Sequence, residues 1–142
     1  MHPSLRRSIT AVILAAVSLL TLTDSSWAAS CTTATVVGAY AVNLGGVDAR
    51  GNSVVGFGFV TFAADGTLSG VGLFSERGVG AGSLPVVGVW AVGATCVLVL
   101  QFSDTGGFDS GVGYVSNNGG VIQFATANDP KAQITGIGFR VQ

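Results

Sequence analysis

Residues 54–76 read VVGFGFVTFAADGTLSGVGLFSE, two apolar runs joined by Asp65-Gly66. Val, Phe and Thr favour extended backbone, and Asp-Gly tolerates the positive φ of a tight hairpin turn. The stretch therefore predicts adjacent antiparallel strands over 54–63 and 67–76. The same grammar governs the rest of the chain. Apolar segments at 36–44, 84–92, 96–103, 110–116, 120–126 and 132–141 are separated by Gly45-Gly46, Gly93-Ala94, Gly106-Gly107, Asn118-Gly119 and Asn128-Asp129-Pro130. None of these segments holds helical periodicity over three turns. Eight strands with short turns predict an all-β fold, a single eight-stranded antiparallel up-and-down β-barrel.

Glycine placement sharpens this reading. Gly56-x-Gly58, Gly70-x-Gly72, Gly111-x-Gly113 and Gly136-x-Gly138 put glycines on one face of four strands, because alternate residues share a face. Glycine weakens a strand, so something must require the missing side chains. Two reasons compete: relief of crowding where a small barrel coils its strands sharply, and room inside for a ligand. The first is the simpler. An internal echo points the same way: Val36-Val37-Gly38-Ala39-Tyr40-Ala41-Val42 returns fifty residues later as Val86-Val87-Gly88-Val89-Trp90-Ala91-Val92. Both strands are expected to place an aromatic ring at an equivalent level of the barrel.

Cys96-Val97-Leu98-Val99-Leu100 is apolar on both faces, and the first strand is nearly so. One face fills the barrel, and the other must be covered or left as an apolar surface. Self-association through an outer barrel face is the expected outcome. Insertion into a membrane is not expected, because membrane barrels of this size carry polar and charged lumens, whereas the interior positions here are Gly and apolar residues.

The first 28 residues read as a removable export signal. Arg6 and Arg7 precede the apolar run Ile9 to Leu22, which is shorter than the roughly 20 residues a spanning helix needs. Ser26-Trp27-Ala28 meets the small-x-small rule for cleavage before Ala29. The wider twin-arginine consensus is poorly met by Ser8-Ile9-Thr10, so Sec-type export to a periplasmic or extracellular location is expected, with residues 29–142 forming one barrel domain. Ala28-Ala29-Ser30-Cys31 also resembles a lipoprotein cleavage box without its usual Leu. Lipidation of Cys31 would leave Cys96 as an odd thiol in an oxidising compartment, which favours a Cys31–Cys96 disulfide.

Charge and histidine content narrow the chemistry. Beyond the signal, Arg50, Arg77, Lys131 and Arg140 stand against Asp48, Asp65, Glu76, Asp104, Asp109 and Asp129, a net charge of −2. Four scattered cations cannot neutralise a run of phosphates, so nucleic acid is not an expected partner, nor is an anionic lipid surface. The only histidine, His2, lies in the signal. That removes Ser-His-Asp and Cys-His pairs and imidazole metal sites from the domain, and two cysteines are too few for a thiolate zinc site. Asp104-Thr105-Gly106-Gly107-Phe108-Asp109 lacks the spacing of a calcium loop. No metal and no cofactor is expected.

Cys31 before Gly38-x-Tyr40, then Phe62-x-x-Asp65-Gly66-Thr67-x-Ser69-Gly70, then Gly88-x-Trp90-x-Val92 followed by Cys96, resembles a group of small exported bacterial proteins. Their fold is similar to the allene oxide cyclase-like and lipocalin-like (calycin) barrels. Lipocalins carry Gly-x-Trp on the first strand; here that position holds Gly38-x-Tyr40 and the Trp comes later. The resemblance implies an oligomeric barrel around an apolar cavity. It transfers no catalytic residue.

Five residues are ligand-lining candidates on this reading: Tyr40, Glu76, Arg77, Trp90 and Arg140. Tyr40 and Trp90 serve equally well as barrel core. Glu76 and Arg77 adjoin Gly78-Val79-Gly80-Ala81-Gly82-Ser83, which reads either as a solvated hairpin tip with a surface ion pair or as a mobile lid over the barrel mouth. Three functions compete: a non-enzymatic binding or structural module holding a small apolar ligand, a cyclase or isomerase acting by confinement, and a self-assembling structural protein. A cavity of a few hundred Å³ would favour the first two; a filled interior leaves the structural role.

Overall fold

The computed structural model describes residues 30–103, 110–127 and 131–142. Residues 1–29, which include the expected export signal, residues 104–109 with their two carboxylates, and the turn expected at Asn128-Asp129-Pro130 lie outside them. A single helical turn, α1 (Thr33–Val36), precedes eight strands: β1 Gly38–Val47, β2 Ser53–Phe62, β3 Thr67–Glu76, β4 Val79–Val92, β5 Val97–Ser103, β6 Ser110–Val115, β7 Val121–Thr126 and β8 Gln133–Arg140. Each strand pairs antiparallel with the next, and β8 returns to pair with β1, so the sheet closes on itself. The expected eight-stranded antiparallel barrel is what forms.

Three boundaries move by two residues or more from the sequence reading. The first strand runs on to Val47 rather than 44, so Gly45-Gly46 pair with β2 and β8 instead of turning the chain, and the turn falls at residues 48–52. The same strand begins at Gly38 rather than 36, because residues 33–36 wind into α1 and bury Val36 beneath the barrel. The fourth begins at Val79 rather than 84. Arg77 (φ 55°) and Gly78 (φ 74°) make a two-residue turn with positive φ at both positions, which continues the β3–β4 ladder directly through Glu76↔Val79. The glycine-rich stretch after Glu76 is therefore strand, with one register shift between Leu73 and Ser75.

Alternation decides the two faces. Tyr40, Val42, Phe62, Leu68, Val86, Trp90, Leu98, Leu100, Val115, Ile122, Phe124 and Ile134 are buried, while most of their neighbours along each strand are exposed. The paired glycines all lie on the inner face, and the space above them is occupied. The Phe74 ring lies so close to Gly56 and Gly72 that a Cβ at either would stand 2.7 and 2.6 Å from it. The Phe124 ring covers Gly136 more tightly still. Between β2 and β3 the reason is different: a Cβ on Gly58 would collide with the Val71 carbonyl oxygen, and one on Gly70 with the Phe59 carbonyl oxygen. Glycine here lets backbones approach and aromatic rings lie flat on the wall, as tight coiling requires.

Candidate functional site

One end of the barrel is sealed by the chain's own N-terminal segment. Cys31 and Cys96 form a disulfide with Cα atoms 4.9 Å apart, which anchors residues 31–37 across that end. The bond uses the sulfur that lipidation of Cys31 would require. Tyr40, fully buried, extends its hydroxyl beneath α1, 2.7 Å from the Gly119 carbonyl and 3.0 Å from that of Val36. Arg140 completes the seal: its Nη2 donates to Tyr40 Oη at 2.9 Å and to the Thr35 carbonyl at 2.5 Å. The guanidinium thus bridges β8, β1 and α1.

The echo seen in the sequence is realised as one aromatic chain. Phe62 packs edge-on against Tyr40 at 5.3 Å between ring centroids and against Trp90 at 5.5 Å. Trp90 Nε1 donates to the carbonyls of Thr67 (2.9 Å) and Ala63 (3.2 Å), so its one polar atom is satisfied at the β2–β3 turn. Such edge-to-face pairs contribute about 0.5–1.5 kcal/mol each beyond their buried area.

At the opposite end, Glu76 and Arg77 meet a residue that no sequence signal had marked. Asn52 Nδ2 donates to Asp48 Oδ2 at 3.1 Å and to Glu76 Oε1 at 2.9 Å, and Asn52 Oδ1 accepts from Arg77 Nε at 2.6 Å. Asp48 Oδ1 accepts the backbone N–H groups of Asn52 and Arg50 at 2.8 and 2.9 Å. These bonds, led by the Asn52 N–H, hold the Asp48 carboxyl below its ordinary range. Every polar atom of the Asn52 side chain is used in tying the β1–β2 turn to the β3–β4 turn. Asn52 follows Asp48 and Gly51 in an ordinary polar turn, and a contact between two separate hairpins has no local signature.

The interior holds an apolar void of about 40 Å³, bordered by residues such as Val42, Leu68, Phe74, Leu100 and Phe124. None of Tyr40, Glu76, Arg77, Trp90 and Arg140 lines it. Tyr40, Trp90 and Arg140 belong to the sealed end; Glu76 and Arg77 belong to the opposite rim.

The outer wall has the opposite character. Among the described residues, no Asp, Glu, Lys or Arg occupies an outward position on the eight strands. Phe57 (58% exposed), Phe59 (62%) and Tyr114 (65%) project from it, with Val55, Val71, Leu73, Val87, Val89, Val99, Val112 and Phe139 also exposed. A groove of about 630 Å³ runs across β6, β7, β8 and β1, where Gly45, Ala125 and Thr135 form a low floor between taller neighbours.

These features define a disulfide-stapled, closed antiparallel barrel with a filled core, consistent with calycin-like architecture. Comparison with protein-family models, with curated proteins and with solved structures finds no match for this chain.

Proposed function

We propose that this protein is an exported, non-enzymatic structural or interaction module of the calycin-like kind, and that it works through its outer wall by associating with itself. The observation that carries this reading is the contrast between the two faces. The interior void is about 40 Å³, whereas sites for small organic molecules run to roughly 300–1,000 Å³. The uncharged outer wall exposes aromatic and branched side chains on several adjacent strands. Soluble monomers rarely leave such a surface open. Among the described residues no helix is long and apolar enough to cross a membrane, and the Cys31–Cys96 disulfide is consistent with an oxidising, exported compartment. Confinement catalysis of the allene oxide cyclase type would need a larger cavity than this one.

The test is native mass spectrometry together with sedimentation velocity on protein purified from its producer. The expected result is a self-associating species without its first 28 residues and with no small molecule retained. A bound organic ligand in stoichiometric amount, or a monomer at every concentration, would overturn the proposal.

A further inference from the structure

The strand registers set the outer wall out in rows. One row runs Tyr114, Gln123, Ile137, Asn43, Phe57, Leu73 from β6 to β3; the next runs Val112, Ala125, Thr135, Gly45, Val55. The middle of the second row consists of small side chains, which is why the surface is hollow there, and the groove is bordered by Tyr114 and Val112 on β6. On its other side the wall rises abruptly, because Asn43 faces Phe57 and Gly45 faces Val55 across the β1–β2 ladder. Phe59, two residues along β2, continues this rise as a ridge, backed by Val71 and Leu73 on β3.

A ridge and a groove that lie side by side on one molecule are self-complementary under a twofold rotation. We propose that two copies of this chain pair about such an axis, each seating its Phe57–Phe59 ridge in the other's groove over Gly45, Ala125 and Thr135. The proposal rests on the reading that the outer wall is the working surface, and it adds the partner, the patch and the symmetry.

Area and charge favour a second copy as the occupant. With about 200 Å² per aromatic side chain, the exposed parts of Phe57, Phe59, Phe139, Tyr114 and the Val and Leu residues beside them offer on the order of 650 Å². That approaches the roughly 800 Å² per partner of a standard interface and exceeds the largest apolar patch of an ordinary monomer. Ridge and groove are both without charge, so neither face imposes a desolvated ion on the other. In a twofold contact each ridge-to-groove insertion occurs twice, and the assembly closes at two copies. A bilayer fits less well: β7 and β8 span 6 and 8 residues, against about 9–11 for a membrane-crossing strand, and Gln101 and Gln123 stand on the outward faces of β5 and β7.

The test uses the disulfide-bonded protein and two outward substitutions that leave the core untouched, Phe59→Glu on the ridge and Ala125→Lys on the groove floor. Sedimentation equilibrium of the unsubstituted protein is expected to give a mass that levels off at two copies. Each variant alone is expected to dissociate at least about 30-fold more readily, because a charge is buried at the contact centre. Mixed in equal amounts, the two variants are expected to pair again, since the carboxylate introduced on the ridge of one then meets the ammonium introduced on the groove floor of the other. Circular dichroism of each variant checks that the barrel persists. If the unsubstituted protein associates and both variants associate equally well, this patch is wrong and the broader reading survives. If its mass climbs beyond two copies with concentration, twofold closure is wrong. A protein that stays monomeric, including one that instead binds phosphatidylcholine vesicles, overturns both.

Discussion

Arg140, near the end of the last strand, donates to the hydroxyl of Tyr40, near the start of the first, at 2.9 Å through Nη2 and 3.3 Å through Nε. The pair lies on the β1–β8 ladder, where Tyr40↔Arg140 is the last matched position. It therefore locks the seam that closes the barrel to the segment that seals its end.

Tyr40→Phe removes the hydroxyl while keeping the ring that Phe62 packs against. Arg140 loses one acceptor, and the Gly119 and Val36 carbonyls lose a buried donor. The expected cost is about 1–3 kcal/mol, read as a lower urea midpoint at unchanged slope. An unchanged midpoint would mean that water replaces the hydroxyl.

The disulfide spans 65 positions in sequence. In the chain-entropy treatment a loop of that size contributes on the order of 4 kcal/mol. Replacing both Cys31 and Cys96 with Ser is expected to lower stability by that order and to release α1 first, seen as faster amide exchange at Val36 and Val37. Uniform exchange across the barrel would show that the N-terminal segment is not an independent seal.

Glycines backed by backbone should tolerate less than glycines backed by an adjustable ring. Gly58→Ala drives a Cβ against the Val71 carbonyl oxygen, whereas Gly56→Ala meets the Phe74 ring, which borders the interior void and has room to turn. Overpacking costs typically about 1–3 kcal/mol. Gly58→Ala is expected at or beyond the upper end and Gly56→Ala at the lower, in thermal unfolding of the two variants side by side.

Asp48 and Asp65 both have carboxyls held below the ordinary value of 3.8, Asp48 chiefly by the Asn52 N–H and Asp65 chiefly by the Thr67 hydroxyl. A depressed folded-state pKa means that the folded protein favours the ionised form. Their contribution is therefore complete above the unfolded value and is lost as pH falls through the folded ones. Stability is expected to be level above about pH 5 and to decline below about pH 4. Asp48→Asn should flatten part of that decline; an equally steep profile in the variant would assign the acid sensitivity elsewhere.

The barrel was legible because its signals are local. Asp65-Gly66 marks a turn whatever surrounds it, and the shared Gly-x-aromatic-x-Val of residues 38–42 and 88–92 marks the strands that carry the buried Tyr40 and Trp90 rings. Which face turns inward at Val97 to Leu100 was not legible, because both are apolar. The role of the glycine pairs was only half legible: sequence shows that side chains are missing, but not that Phe74 and Phe124 lie over the gaps. The fourth strand's true start was hidden by Gly78 to Ser83, whose glycines suggest mobility until the two-residue turn at Arg77-Gly78 is seen. Asn52 was illegible, because its meaning lies in a contact between hairpins more than twenty residues apart. So was the groove, which exists only where four strands from both ends of the chain align their smallest residues.

Closure by β1–β8 pairing also sets the order in which this fold can complete. A meander gains a stable edge with each strand added, yet here β1 keeps one unpaired side until the final eight-residue strand is in place. Throughout that interval the chain presents two open strand edges beside an uncharged, aromatic-rich wall, the combination most prone to wrong pairing between chains. The vulnerable moment for this protein is thus the wait for Gln133–Arg140, and crowding by identical unfinished chains is the hazard its production must avoid.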